Sequence, residues 1–546
     1  MPVKKKEGRF STESISKWWP WIAFAVILVF VAAIRIRLLQ IPLERDEGEF
    51  AYMGQLMLEG IPPYLLAYNM KLPGIYAAYA LVMAIFGQTI VGIHLGLLVV
   101  NGIAIVLLFF LTRRLFDDIA AVVAAASYAL LSLSPSVLGT SAHATQFIVP
   151  FALGGTILLL RALDSGKYHL LFVSGLSYGL ALTVKQHAVF FIAFAVLYFM
   201  WSLLRTHPID LTRLVRGTGL LVLASGIPFV VSCALLYALG VFSKFWFWAF
   251  TYGSRYVSEI PLSFAVPNLI MLAPRAINPW GFLWTIAGIG LTAVFWNEKG
   301  HANWFFLIGF SLFSFLSVCP GFFFREHYFV TLLPAVALLA GVAVSAMGQF
   351  LSDRRMPSVV KILPSLVMTA SLLGPIILLS DFFFRATPVQ ACRMMYGVNP
   401  FPESVEIAEY IKNHSTKDDK IAVIGSEPQI CFYANRKSAT GYIYVYGLME
   451  PQDYASKMQV DMIHEIEKAR PKYAVFVNVP TSWLQRPNSD GTIFKWAQIY
   501  FGVNYRTAGF VDIFRGGHSK AYWDDEARRN RPTSQFNVYV LERKDG

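Results

Sequence analysis

Charge is the property this chain has least of. Only 15% of its 546 residues are charged, while 56% are hydrophobic; an ordinary soluble domain carries about 25% charged residues. That balance excludes disordered, collagen-like and nucleic-acid-binding chains and marks a polytopic membrane protein. Cysteine is also scarce. The four present (Cys233, Cys319, Cys392 and Cys431) have no CxxC spacing, which removes a disulfide framework and a metal-ribbon pattern. Cys392 and Cys431 are the one pair that could join outside the membrane. Neither a GxGxxG nor a Walker pattern occurs; Gly425-Ser426-Glu427-Pro428 reads as a turn, so no nucleotide site is expected. Internal repeats and low-complexity tracts are absent. A net charge of +12 remains, and an excess of Lys and Arg on cytoplasmic loops explains it better than nucleic acid does.

The scarce charge is unevenly spread. From Phe384 onward 21 Lys+Arg and 18 Asp+Glu fall in 163 residues, whereas 25 and 16 are spread over the 383 before it. The second part has the charge density of a soluble domain and the first does not. Residues 1–17 read as a cytoplasmic tail, 18–383 as a membrane domain with a first outer loop at 41–89, and 384–546 as an extracytoplasmic soluble domain. Apolar stretches at 18–40, 90–112, 118–138, 146–163, 168–186, 188–205, 216–240, 277–296, 302–319, 326–349 and 358–382 give about eleven spans. Lys4, Lys5, Lys6 and Arg9 put the N-terminus inside, and the span after them is too long for a signal peptide.

Leu72–Phe86 sets the topology. It is apolar but only about 22 Å long as a helix, so it is expected to lie in the interface. Arg113, Arg114, Arg161, Lys167, Arg205, Arg213 and Lys299 then all fall on the inner side, as the positive-inside rule prefers. The polar groups of the membrane part collect on the outer side: Arg45-Asp46-Glu47, Asn69 and Lys71, His143 with Gln146, Lys185, Arg255, and Arg325 with His327 and Tyr328. Ionisable groups at membrane edges are functional candidates, and their convergence predicts an outer cavity.

The first outer loop is the most informative stretch. After Asp46-Glu47 an amphipathic helix is expected, with Phe50, Met53, Met57 and Leu58 at helical spacing. Gly60 and Pro62-Pro63 end it, Tyr64 follows, and a second interfacial helix starts near Pro73. Two short helices on the membrane surface would form a platform with carboxylates at its entrance and Lys71 near its exit.

This loop resembles the first extracytoplasmic loop of the GT-C glycosyltransferases, in the branch of the protein O-mannosyltransferases and the lipid A aminoarabinose transferase. The resemblance rests on the Asp46-Glu47 pair just after the first span and on Asn69-Met70-Lys71-Leu72-Pro73-Gly74 leading into the short helix. Leu-Pro-Gly stands where the aminoarabinose enzymes have Pro-Pro, which leaves the substrate open. The resemblance implies a polyprenyl-phosphate-linked sugar donor, an acceptor hydroxyl on a lipid, glycan or protein, inversion at the anomeric carbon, and a bacterial inner membrane. A carboxylate must take the acceptor proton, and positive groups must stabilise the leaving phosphate. Asp46 is then the general base and Glu47 the second carboxylate. Lys71 binds the phosphate, with Arg325, His327 and Arg255 as further choices. Tyr64, Asn69, His143, Gln146, Lys185 and Tyr328 are candidates for the cavity wall. No metal site is assigned, although Asp46 and Glu47 could hold a divalent ion such as Mg or Mn.

Plainer roles stand beside these. Asp46 with Glu49 fits a capping box. Lys71, Arg35 and Arg37 could simply snorkel to the interface. His143 could be a satisfied polar group at a helix start, and Lys185-Gln186-His187 could mark a turn. The aromatic runs at 246–248 and 322–324 fit interface belts. The outer loop 241–276 has the length of a lid. After Phe384, strands at 420–425, 473–477 and 538–541 with helices at 404–413 and 461–469 suggest an α/β layer, and 515–534 reads as a mobile loop. A transporter of a lipid-linked or anionic solute is the main alternative. It would want charges near the bilayer midplane and two similar halves.

Overall fold

Each expected span contains a helix in the computed structural model, which describes residues 12–545. Residues 1–11 of the expected tail lie outside the described residues. The helices that position the site are α1 (Thr12–Arg37), α2 (Arg45–Leu58), α3 (Pro73–Phe86), α4 (Ile90–Leu115), α5 (Asp118–Leu131), α6 (Ala144–Ser165), α7 (Tyr168–Val184), α8 (Val189–Leu204) and α9 (Leu211–Ala238). Among the described residues six helices can cross a membrane by length and composition. A seventh crossing is added if Phe242–Val257 and Leu262–Ile277, bent by 62° at their junction, form one span. Other apolar helices, α3, α5 and α7 among them, have 10–17 residues, short of the roughly 20 that a straight crossing takes.

Helix ends follow local chemistry. The Thr89 side chain accepts from Gly92 N at the start of α4, and Asp117 accepts from Ala120 N at the start of α5, each satisfying one of the free N–H groups of a first turn. The end of the bundle away from the site is knitted by basic residues. Arg114 pairs with Asp164, Arg213 donates to Leu163 O at 3.0 Å, and Lys299 donates to Phe116 O at 2.9 Å. These are the residues that the charge rule grouped on one side.

The C-terminal part is α/β, with five strands in the order β1-β2-β5-β3-β4: β1 Ile421–Ile424, β2 Tyr473–Asn478, β3 Tyr505–Ile513, β4 Ser519–Trp523 and β5 Phe536–Arg543. Only β1 and β2 run parallel; the other pairings are antiparallel. One expectation changes here. Segment 515–534 is not a loop: it holds β4, paired with β3 from Gly509↔Trp523 to Ile513↔Ser519, and a helix at Asp524–Arg529. Its polar surface comes from an edge strand, which carries charge where an inner strand would not. Cys392 and Cys431 are not joined; both are buried free thiols.

The C-terminal domain also changes the first loop. α2 is covered rather than exposed as an open platform. Apart from Asp46 it is buried from Arg45 to Leu56, between α3 and the helix Gln429–Ala434. A Cβ on Gly48 would come within 2.7 Å of Gln429, so this glycine permits the contact.

Candidate active site

Capping decides which carboxylate is free. The cap of α2 is Glu44, two residues earlier than the Asp46–Glu49 pairing expected. The Glu44 side chain accepts from Glu47 N at 2.8 Å, and Glu47 Oε2 accepts from Glu44 N at 3.2 Å. Glu47 Oε1 also accepts from Ala142 N at 2.6 Å and lies 3.1 Å from His94 Nε2. Glu47 is thus fully buried and held by three segments, and it does not line the cavity. Asp46 escapes the cap and does line it. Its Oδ1 accepts from the Tyr444 hydroxyl at 3.1 Å, and its Oδ2 lies 3.5 Å from Lys71 Nζ. Burial alone would raise the Asp46 carboxyl; the surrounding basic groups, Lys71 foremost with Arg325 and Lys185 among them, hold it below the usual carboxylate range.

The second half of the motif is built by close packing. Pro73 occupies the first turn of α3. A Cβ on Gly74 would meet Thr183 O at 2.5 Å, so the Leu-Pro-Gly variation lets α3 rest directly on the end of α7. Tyr64 donates to Lys71 O at 2.6 Å and closes the loop behind the lysine; it supports the site without lining the cavity. Asn69 lines the cavity and donates to Glu49 Oε2 at 2.5 Å, while Tyr76 donates to Glu49 Oε1 at 2.8 Å. Burial pushes the Glu49 carboxyl up to about 8, against the pull of Lys71.

The remaining candidates fall into two groups. Arg325, His327 and Tyr328 line the same cavity as Asp46, Asn69 and Lys71. Lys185 lies over the Tyr328 ring, 4.0 Å from its centroid. Among the described residues neither Lys185 nor Arg325 forms an ion pair. His143 stacks on His327 with ring centroids 4.1 Å apart, an arrangement aligned by Thr145, which donates to His327 O at 2.8 Å. Burial lowers His143 to about 4, so its approaches to Glu44 and Asp46, at 3.6 and 3.8 Å, involve a neutral ring. Arg255 and Gln146 are elsewhere. Arg255 is exposed and paired with Asp453 at 2.9 Å, and Gln146 is buried beside Asn101. Neither lines the cavity. Arg35 and Arg37 do not snorkel: Arg35 donates to Gly139 O and Ser132 O, and Arg37 to the carbonyls of Phe382, Phe383 and Ala386.

Sequence reasoning missed the C-terminal contribution. Tyr444, Tyr446 and Glu450 form one wall of the cavity, and Trp248, Tyr252 and Tyr256 of the bent outer helix form another. Tyr252 donates to Glu450 Oε2 at 2.6 Å, joining the two walls. No contiguous motif marks the C-terminal residues; for the outer helix the length of the 241–276 loop, its aromatic run at 246–248 and Tyr252 at helical spacing were the available signals.

The centre is almost closed, with a free volume of about 30 Å³, close to the room one water needs. Two larger grooves open beside it. One, of about 280 Å³, shares Met70, Lys71, Tyr256 and Tyr328 with the centre and adds Lys185 and apolar Ala249, Phe250 and Val257. The other, of about 640 Å³, shares Trp248. Asp46, His143 and His327 also place three potential metal-ligand atoms within 4.8 Å of one another. Both ring nitrogens of His143 and Nδ1 of His327 are buried without a hydrogen-bond partner. This donor set fits Zn²⁺ better than Mg²⁺, since imidazole is a poor ligand for hard cations.

Over nearly its whole length the fold that carries this site is similar to solved structures of an ArnT and of an archaeal oligosaccharyltransferase. A family model described as dolichyl-phosphate-mannose-protein mannosyltransferase matches residues 71–231. The structure of ArnT from Cupriavidus metallidurans bound to undecaprenyl phosphate is similar at 16% identity and a TM-score of 0.56, over 96% of this chain and 98% of that one. Oligosaccharyltransferase AglB from Archaeoglobus fulgidus, in complex with an inhibitory peptide and a dolichol-phosphate, is similar at 13% identity and a TM-score of 0.54, over 95% of this chain and 75% of that one. The same archaeal enzyme in complex with Zn and sulfate gives 14% and 0.50, over 91% and 72%. No curated protein matches the chain.

Proposed function

We propose that this protein is a membrane glycosyltransferase that moves a sugar from a polyprenyl-phosphate donor to an acceptor hydroxyl with inversion. One observation carries the reading. Asp46 lies in a nearly closed cavity 3.5 Å from Lys71, and Lys71 also lines a neighbouring groove with apolar walls and the unpaired Lys185. A donor whose apolar chain lies in that groove brings its phosphate to Lys71, with Arg325 on the facing wall.

The chemistry follows from that placement. The acceptor oxygen loses its proton to Asp46 and attacks the anomeric carbon from the face opposite the phosphate. The bond from that carbon to the phosphate oxygen breaks, and its electron pair leaves with the phosphate. One displacement on one face inverts the centre. Lys71 and Arg325 stabilise the leaving charge, which is worth most in a site that excludes water. The donor also activates the base: a phosphate that takes the charge of Lys71 removes the cation 3.5 Å from Asp46, and the carboxylate becomes more basic. Glu47 is a positioning residue that fixes the α2 turn. The negative charge of Asp46 also favours an oxocarbenium-like transition state.

The fold and the family model support this reading over a transporter. So does the position of the charged groups, which sit at helix ends beneath the C-terminal domain rather than along the helix middles. In the same proposal the N-terminus is cytoplasmic and the C-terminal domain faces the outside of a bacterial inner membrane. The test is transfer from radiolabelled polyprenyl-phosphate sugars in liposomes with an acceptor extract. Transfer by the wild-type chain identifies the donor; no transfer from any donor by folded protein overturns the proposal.

A second reading of one residue rests on the unpartnered His143 and His327 nitrogens. If Asp46, His143 and His327 hold a Zn²⁺-like ion, it supplies positive charge beside the leaving phosphate, and Asp46 is occupied otherwise than as the base. Activity that survives EDTA keeps Asp46 as the base. Activity lost to EDTA and restored by Zn²⁺ replaces it.

A further inference from the structure

The open groove beside Trp248 is not used by the chemistry above. It lies between the bent outer helix and the C-terminal domain, on a different side of the closed centre from the lysine-bearing groove. Its walls are aromatic. Tyr68 stacks against Trp248 with centroids 5.8 Å apart and meets Tyr442 edge-on at 5.4 Å, and Phe247 meets Tyr454 at 5.1 Å. Two carboxylates stand among these rings. Glu465 is committed to the wall: it accepts from Thr440 Oγ1 at 2.6 Å, Gly441 N at 2.8 Å and the Tyr68 hydroxyl at 3.2 Å. Asp461 is not fully committed. Its Oδ2 takes Lys457 Nζ at 2.5 Å and the Tyr442 hydroxyl at 3.4 Å, and its Oδ1 accepts no bond among the described residues.

We propose that this groove is a saccharide subsite, and that it delivers the acceptor to Asp46 past Trp248. The inference rests on the transferase reading and narrows its acceptor to a glycan. Three features select a sugar. Half-buried ring faces flanked by hydrogen-bonding groups suit a ligand that is apolar on its faces and polar at its edges. The charges balance, with Lys244 and Lys457 against Asp461 and Glu465, so neither a cationic peptide nor an anionic headgroup is favoured. An acyl chain gains nothing from a carboxylate oxygen left free. The groove also adjoins the catalytic cavity, since Trp248 lines both. Its volume of about 640 Å³ lies within the range of pockets for small ligands and accommodates a short stretch of glycan.

The test uses the full chain in nanodiscs on an array of immobilised oligosaccharides, peptides and phospholipids. Binding of undecaprenyl phosphate is measured separately on the same protein. Wild type is expected to bind saccharides. Tyr454→Ala and Asp461→Asn, two positions on the groove rim, are each expected to weaken that binding at least tenfold and to leave undecaprenyl phosphate binding unchanged. Preference for peptides or phospholipids overturns the proposal. So does saccharide binding that neither substitution weakens, or no saccharide binding by protein that still takes up undecaprenyl phosphate. Failure of undecaprenyl phosphate binding alone counts against the donor side and leaves the saccharide result to stand or fall by itself.

Discussion

The first loop and the C-terminal domain contribute to one cavity in opposite ways. The loop brings charge: Asp46 and Lys71 lie within 3.5 Å of each other and come from a stretch of under thirty residues. The domain brings hydroxyls and rings from Tyr444 and Tyr446 and the carboxyl of Glu450, almost four hundred residues away. The loop supplies groups that react and the domain supplies groups that surround. Reactive groups must be close together and in order, so they leave a motif. Enclosing groups need only reach the site, and many sequences do that.

Changes on the two sides should therefore fail differently. The largest effect is expected from Asp46→Asn. Loss of a general base lowers the transfer rate by roughly 10²–10⁴-fold, with binding of undecaprenyl phosphate retained. Full transfer by this variant removes Asp46 as the base. Next comes the ion pair that joins the two regions, Arg45 with Glu427 at 2.7 Å, nearly inaccessible to solvent. Glu427→Gln leaves the Arg45 charge without its partner, and removing one member of a buried pair costs about 3–5 kcal/mol. A lower melting temperature in detergent is expected, together with slower transfer because α2 loses its support. A variant that melts like wild type shows that the domain is not braced through this pair.

A smaller effect is expected for Lys71→Met. A hydrogen bond to a charged group is worth about 1.5–3 kcal/mol, so undecaprenyl phosphate should bind roughly 10–150-fold more weakly. Unchanged affinity places the phosphate elsewhere. The smallest effect concerns Glu450, whose carboxyl burial raises to about 7 despite the Tyr252 hydroxyl. Its folded-state pKa exceeds its unfolded value, so the folded chain binds the extra proton between pH 4.5 and 7. Stability should fall as pH rises through that window, and Glu450→Gln should flatten the fall in a series of melting curves. An unaltered pH profile assigns the dependence to another group.

The sequence revealed the loop better than the enclosure for physical reasons. The pair Asp46-Glu47 was visible, but not that Glu44 would take the cap, because Glu44, Asp46 and Glu47 are all plausible caps until packing chooses. Glu47 was placed beside the substrate, whereas Ala142 N and His94 hold it in the interior. The convergence of His143, Lys185 and Arg325 could be inferred from the alternation of inside and outside ends. The stacking of His143 on His327 could not, since it depends on how two helix starts meet. Strands β1, β2 and β5 announced themselves as apolar runs. β3 and β4 did not, because polar residues hide their alternation.

Arg37 and Arg45 bind the C-terminal part at two places. Arg37 takes three carbonyls at 382, 383 and 386, where the membrane part ends; Arg45 takes Ser426 O and Glu427 within the domain. Mechanically this is a mount with two bolts, one at the root of the domain and one on its body. A body held at a single point can swivel; one held at two can turn only about the line between them. Asp46 is the residue next to the second bolt. A turn about that line therefore leaves Asp46, which lies beside it, nearly in place, and the base and the wall that faces it keep their alignment while parts farther from the line move.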